Sequence, residues 1–271
     1  MALSNDFIAE ITSVADACAE AAARETLAWF RSSGLDVDDK SAVNAFDPVT
    51  EGDRAAEAAI RAVLGKARPQ DAILGEEEAA TAGTSGYSWV IDPIDGTRAF
   101  VAGAPTWGTL IAFSEESGPL YGILDQPYIG ERFCGGFGQA TLRGPHGTRN
   151  LATRRTTSLD EAILFSTFPE IGRPAERAAF EAVARQVKLT RYGLDCYAYG
   201  LIAMGLSDLV IEAGLQPYDI QAPIALVEAA GGIVTNWEGG PAHGGGRAVA
   251  AATPELHAAA LDALASAVSD G

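Results

Sequence analysis

The chain is poor in the residues that build covalent cross-links or soft-metal centres: its 271 residues include only three cysteines and three histidines. Cys18, Cys134 and Cys196 stand far apart, are odd in number and form no CxxC pair. That excludes a disulfide framework and a thiolate metal site, and points to a reducing compartment. His146, His243 and His257 show no ligand spacing toward one another, so any metal site must be built from oxygen. Positive charge is scarce as well. Nineteen Lys plus Arg face 36 Asp plus Glu, a formal net charge of −17, which disfavours nucleic acid and anionic lipid because both are bound through Lys and Arg at phosphates. No apolar run approaches the roughly 20 residues needed to span a bilayer, and the opening MALSNDFIAEI has an acid where a signal peptide has a basic region. The expectation is a cytoplasmic protein with neither a nucleic-acid nor a membrane partner.

What remains is ample material for a buried core, with 48% of residues hydrophobic and 20% charged. Phe7, Ile11, Val14, Cys18 and Ala22 recur at helical spacing behind Ser4, a candidate N-cap, and predict a helix to about Phe30. In DPVTEGDRAAEAAIRAVLG, the apolar positions Ala56, Ala59, Ile60, Val63 and Leu64 predict a second helix opened by Thr50 or Asp53. SWVI reads as a short buried strand that stops at DPIDGT, where Pro93 and Gly96 break it. Strands are expected at Thr109–Phe113, Leu120–Leu124 and Glu131–Phe133. Beyond them strand and helix alternate: Ile163–Ser166, a helix opened by Pro174, Val187–Arg191, a helix over Tyr197–Met204, DLVIE, a helix over Ile220–Ala230, GIVTNW, AVAAA, and a last helix opened by Thr253 and Pro254. The turn-rich RGPHGTRN suggests a boundary, hence an α+β lobe over 1–145 and an α/β lobe over 146–271.

Acids cluster at the ends of these elements rather than along solvent faces: Asp47 and Asp53, Glu76 to Glu78 in ILGEEE, Asp92 and Asp95 in WVIDPIDGT, and Asp219 in PYDI. Taken singly, each is an ordinary turn or cap residue. Together, Asp92, Asp95 and the Ile94 carbonyl can converge on one point, where they repel one another unless a cation intervenes. Hard divalent ions take such oxygens, so Mg²⁺ is favoured over Zn²⁺. Gly96 and Thr97 would present N–H groups and a hydroxyl to an anion beside it.

Read in order, DPVTEGD, GEEE, WVIDPIDGTRAF and YDI followed by VEAAGG resemble the signature of the inositol monophosphatase superfamily of Mg²⁺-dependent, lithium-sensitive phosphatases. The resemblance spans nearly the whole chain. It implies an α/β fold, a five-layered αβαβα sandwich, usually a homodimer, acting on a small-molecule phosphate ester. It implies that Glu76, Asp92 and the Ile94 carbonyl hold a first Mg²⁺, that Asp92, Asp95 and Asp219 hold a second, and that Glu76 helps hold a weaker third. Glu76 and Thr97 would activate a water, with Asp53 hydrogen-bonded to Thr97, while the Gly96 and Thr97 N–H groups bind phosphate. Attack is then in line, without a phosphoenzyme. Lys40 stands before the DxVT element at a longer spacing than the family's lysine.

Three features resemble the bacterial histidinol-phosphate phosphatase branch: Arg98 in DGTRAF, Asp195 in GLDCYAYG, and the segment IEAGLQPYDI. Asp195 and Glu212 would pair with the ammonium and imidazole of histidinol through charge-assisted hydrogen bonds, whereas inositol offers only hydroxyls. Asp95 and Arg191 complete the expected substrate contacts together with Arg98, for which a salt bridge to neighbouring acids or a cover over the site from a dimer partner are equally open. Tyr197 and Tyr199 are open between core and ligand wall, and Trp107 reads as packing. The expected reaction is hydrolysis of L-histidinol phosphate in histidine biosynthesis. Inositol monophosphatase or relaxed specificity is the alternative, and a noncatalytic metal- or phosphosugar-binding regulator a remote one.

Overall fold

The computed structural model describes residues 3–33, 37–39 and 48–269; Lys40 and Asp47 lie outside them. Helix α1 (Asn5–Trp29) begins where the Ser4 hydroxyl accepts the Phe7 N–H at 3.2 Å, and it buries Ile11, Ala15, Cys18 and Ala22. A short antiparallel pair, β1 (Val37–Asp39) and β2 (Pro48–Thr50), leads into α2 (Glu51–Ala67). Thr50 caps α2, accepting from the Gly52 N–H at 3.1 Å, while Asp53 reaches back to the Thr50 N–H at 2.8 Å, a reciprocal capping box.

Seven strands follow, β3 (Ala72–Gly75), β4 (Ser88–Asp95), β5 (Gly108–Glu115), β6 (Gly118–Gln126), β7 (Glu131–Gly136), β8 (Gln139–Gly144) and β9 (Gly147–Asn150), with α3 (Thr97–Ala102) between β4 and β5. They form one sheet in chain order, parallel only between β3 and β4. The three expected strands are the cores of β5, β6 and β7, whereas β3, β8 and β9 were not foreseen. RGPHGTRN is the β8–β9 hairpin, so this sheet continues to Asn150. One expectation is corrected: the SWVI strand does not stop before DPIDGT. β4 runs through Pro93 to Asp95, because the register against β5 shifts between Asp92 and Asp95 and a bulge needs no N–H at the proline.

The second half gives β10 (Ile163–Ser166), α4 (Pro174–Ala184), β11 (Leu189–Tyr192), α5 (Tyr197–Ala203), β12 (Leu209–Leu215), α6 (Pro217–Ala229), β13 (Ile233–Thr235), β14 (Gly246–Ala251) and α7 (Pro254–Ser269). Its sheet has the order β11-β10-β12-β14-β13, with β10 parallel to both neighbours and β14 antiparallel to both of its own. The expected start of α6 at Ile220 is one turn late; Pro217 opens it at the first helical position, where a missing N–H costs nothing.

Burial arranges these elements in five layers. Ile11, Cys18, Ile60 and Leu64 of α1 and α2 pack on Trp89, Ile111 and Phe113 of the large sheet. Its opposite face, with Leu110, Leu124 and Phe133, packs on Ala222 and Leu226 of α6. Ile220 and Val227 of α6, with Tyr199 and Ile202 of α5, meet Val210 and Ala250 of the small sheet. Phe180 of α4 and Leu256 and Ala260 of α7 close the outer face over Leu164 and Ile211. The chain is therefore α/β, an αβαβα sandwich. Helix α6 is buried from Ile220 through Val227 because a sheet lies on each side of it, as an all-round apolar helix requires. Among the described residues, no helix is long and apolar enough to cross a membrane.

Candidate active site

The bulged end of β4 delivers the first acids. The Asp92 carboxylate accepts the Ile94 N–H at 3.1 Å, and the Thr109 hydroxyl donates to the Pro93 carbonyl at 2.8 Å, which fixes the backbone between Asp92 and Asp95. Ile94 is anchored among Phe30, Phe100 and Trp107, so Trp107 is packing as expected. Gly96, at φ +84°, then turns the chain into α3, and the Thr97 hydroxyl donates to the Ile94 carbonyl at 3.1 Å. Asp219 arrives from the first turn of α6, where its Oδ2 accepts the Gln216 N–H at 2.7 Å. Asp92, Asp95 and Asp219 thereby each place a carboxylate oxygen within 4.8 Å of the other two.

Burial and mutual repulsion govern this cluster. Asp92 is 2% exposed; desolvation, then the charges of Glu76, Asp95, Asp219 and Asp53, push its pKa well above the carboxylate range. Asp95 is raised by burial and by Asp195 and Asp219, despite accepting the Cys196 N–H at 2.6 Å. Burial raises Asp219 to about 7, against the Gln216 hydrogen bond. Carboxylates that are buried at Asp92 and half-buried at Asp95 and Asp219, beside a backbone carbonyl and with no histidine or cysteine among the described residues lining the cleft, suit a hard divalent cation.

The cluster floors a cleft of about 320 Å³. Glu76 enters from the GEEE segment after β3, and Arg98 from α3 places its guanidinium 4.9 Å from the centre of the Phe168 ring. Across the cleft stand Asp195 and Glu212. Asp195, before α5, adopts φ +48°, uncommon for a residue with a Cβ. Its side chain lies so close to Gly96 that a Cβ there would be 2.9 Å from the Asp195 Cγ. Burial lifts Asp195 to about 6, opposed by the Arg98 charge. Glu212, from β12, accepts the Thr167 N–H at 2.7 Å, the Thr167 hydroxyl at 2.9 Å and the Ser166 hydroxyl at 3.3 Å, yet burial still raises it to about 7.

The fold thus gathers Glu76, Asp92, Ile94, Asp95, Gly96, Thr97, Arg98, Asp195, Glu212 and Asp219 around one cleft. Two expectations are corrected. Asp53 is not bonded to Thr97: its Oδ2 accepts from the Thr50 N–H and hydroxyl, and its Oδ1 is buried without a hydrogen-bond partner, while Thr97 donates to Ile94. Arg191 is not a cleft residue; it is exposed on the edge strand β11. Tyr197 donates to Glu131 at 2.6 Å, and Tyr199 is buried among the side chains between α5, α6 and the small sheet. Thr167 and Phe168 were missed, although polar and aromatic residues directly after a buried strand are a signal. A larger hollow of about 680 Å³ between α4 and α7 is lined mainly by alanines and surface polar groups, with Asp262 as the single acid among the described residues lining it.

The inositol monophosphatase family's sequence profile matches residues 8–269. A bifunctional phosphatase IMPL2, chloroplastic, of Arabidopsis thaliana is 38% identical over 240 residues, 88% of this chain and 67% of that protein. A histidinol-phosphatase of Streptomyces coelicolor is 36% identical over 253 residues, covering 90% of this chain and 92% of that one. The solved structure of an inositol monophosphatase from Zymomonas mobilis superposes with a TM-score of 0.84 at 36% identity, covering 97% of this chain and 100% of the other. On its sequence, its layers and the arrangement of its acids, the chain belongs to the inositol monophosphatase family.

Proposed function

We propose that the protein is a Mg²⁺-dependent phosphomonoesterase that hydrolyses L-histidinol phosphate. The observation that carries the substrate is Asp195: a carboxylate wedged against the Gly96 turn, facing the same cleft as Glu212. Identity alone does not decide, since a histidinol-phosphatase and an inositol monophosphatase are both 36% identical.

Glu76, Asp92, the Ile94 carbonyl, Asp95 and Asp219 would hold the ions, with Glu76 shared toward a third. Bound Mg²⁺ supplies charge neutralisation at the phosphate and a lowered pKa for the attacking water. The backbone N–H groups of Gly96 and Thr97 hold the phosphate oxygens. Glu76 takes a proton from a water that the Thr97 hydroxyl oxygen orients, and the oxygen of that water attacks phosphorus in line. The ester P–O bond breaks opposite it, and the departing alkoxide takes a proton from solvent. Asp53 acts from behind, by fixing the Thr50 turn and adding its charge to the cluster. Asp195 and Glu212 pair with the ammonium and imidazole of the leaving group, and Arg98 borders them.

Phosphate release tests this, comparing kcat/KM for L-histidinol phosphate, inositol 1-phosphate, fructose 1,6-bisphosphate and 3′-phosphoadenosine 5′-phosphate in Mg²⁺. A preference of about a hundredfold for histidinol phosphate, or roughly 2.7 kcal/mol of differential transition-state binding, is expected. A flat profile or a preference for inositol 1-phosphate removes the substrate assignment and leaves the family chemistry in place.

A further inference from the structure

Glu57 is a fully buried carboxylate outside the cleft, on the second turn of α2 and four residues beyond Asp53. A buried charge is costly unless its oxygens are satisfied. Here Oε2 accepts the Glu77 N–H at 2.7 Å, Oε1 accepts the Glu78 N–H at 3.0 Å, and Arg61 donates from Nε at 2.8 Å. Arg61 extends the clamp to the same segment, donating to the Glu78 carbonyl at 3.1 Å and the Thr81 hydroxyl at 3.2 Å. The residue before the clamped N–H groups is Glu76. Space for the clamp comes from Gly75, where an added Cβ would stand 2.5 Å from the Glu57 Cδ and closer still to Oε1.

We propose that Glu57 is a positioning residue for Glu76, an inference that rests on the metal reading above. Three successive glutamates beside Asp53 and Asp92 repel one another. Left to itself the segment would swing its acids toward water. Two N–H bonds to a carboxylate fixed on α2 hold the backbone on either side of the Glu77 Cα, and so set where the preceding side chain enters the cleft. A carboxyl side chain suits the role because it turns one acceptor oxygen toward each of the two backbone N–H groups and still accepts from Arg61. Glutamine in its place would turn an NH₂ group toward one of them.

Calorimetric titration of Mg²⁺ into the whole protein tests this, with wild type, Glu57→Gln, Glu76→Gln, the double variant and Gly75→Ala, each melted metal-free to verify folding. Glu57→Gln is expected to weaken Mg²⁺ binding by about ten- to a hundredfold, the range for groups that orient a metal ligand. Gly75→Ala should do the same by pushing against the carboxylate. The double variant should bind no more weakly than Glu76→Gln alone, because Glu57 acts through Glu76. Weakened binding in Glu76→Gln with wild-type affinity in Glu57→Gln, or in Gly75→Ala if Glu57→Gln fails to fold, overturns the proposal. So do fully additive losses in the double variant, the mark of a merely structural role. Wild-type affinity in Glu76→Gln, or no Mg²⁺ binding by wild type, instead overturns the metal reading beneath it.

Discussion

The two walls of the cleft use carboxylates in opposite ways. On the wall made by the large sheet and the start of α6, Asp92, Asp95 and Asp219 crowd to within 4.8 Å of one another, held by a strand bulge and a capping box. On the wall made by the small sheet and α5, Glu212 is held by hydrogen bonds from Thr167 and Ser166, and Asp195, presented by a left-handed backbone, lies against the Gly96 turn, where its charge raises the Asp95 pKa. Crowded acids demand a cation of high charge density. Carboxylates outside that trio, such as Asp195 and Glu212, are suited to charge-assisted hydrogen bonds with a diffuse organic cation. On the function proposed above, the first wall carries the chemistry and the second the choice of substrate.

Removing one acid from the crowded wall should have the largest effect. Asp92→Asn is expected to lower kcat by about a thousandfold or more, in the range of losing a main electrostatic group, while raising the metal-free melting temperature because repulsion is relieved; an active variant, read by phosphate release, would break the comparison. Next comes metal removal. Saturating Mg²⁺ at a hundred times Kd should stabilise the fold by about 2.7 kcal/mol, measured by thermal melts with and without chelator.

The pH dependence has a definite sign. Asp53 and Asp219 rise from the ordinary 3.8 to about 7, so the native metal-free protein keeps protons that the unfolded chain has released. Their contribution is greatest below pH 3.8 and is lost as pH rises toward about 7, so metal-free stability should fall across that window. Mg²⁺ should flatten the slope at its upper end. A metal-free protein that gains stability over that range would contradict the burial that, with help from neighbouring charges, raises these two groups.

On the second wall, Glu212→Gln should raise KM for histidinol phosphate by about tenfold, the loss of one charge-assisted bond, with kcat changed far less. Smallest of all, Arg191→Ala on the exposed edge strand should leave kcat/KM within about twofold, consistent with a surface substitution; a larger loss would return that arginine to the site.

Where local chemistry and tertiary structure agree, the sequence was readable. Ser4 and Thr50 cap the helices they announce, and the alternation in the second half appears as expected. Pro93 misled because a proline usually ends a strand, and only the pairing with β5 supplies the bulge that tolerates it. The strands β8 and β9 were hidden by glycines and polar residues at a sheet edge. Asp92 and Asp95 were legible as strand-end acids, but Glu76 depended on family resemblance, since GEEE alone reads as a solvated loop. Glu57 drew no notice in the sequence, although it shares the stripe of Asp53, Ala56, Ile60 and Leu64 that α2 buries. Arg191 was misplaced because strand position does not say which edge is covered.

The most direct test of the division between the walls is the ratio of kcat/KM for L-histidinol phosphate to that for inositol 1-phosphate, in wild type and in Asp195→Asn. The expected result is a preference of about a hundredfold that falls by about tenfold or more in the variant, through KM for histidinol phosphate, with the inositol phosphate value nearly unchanged. A ratio that is the same in both proteins would contradict it.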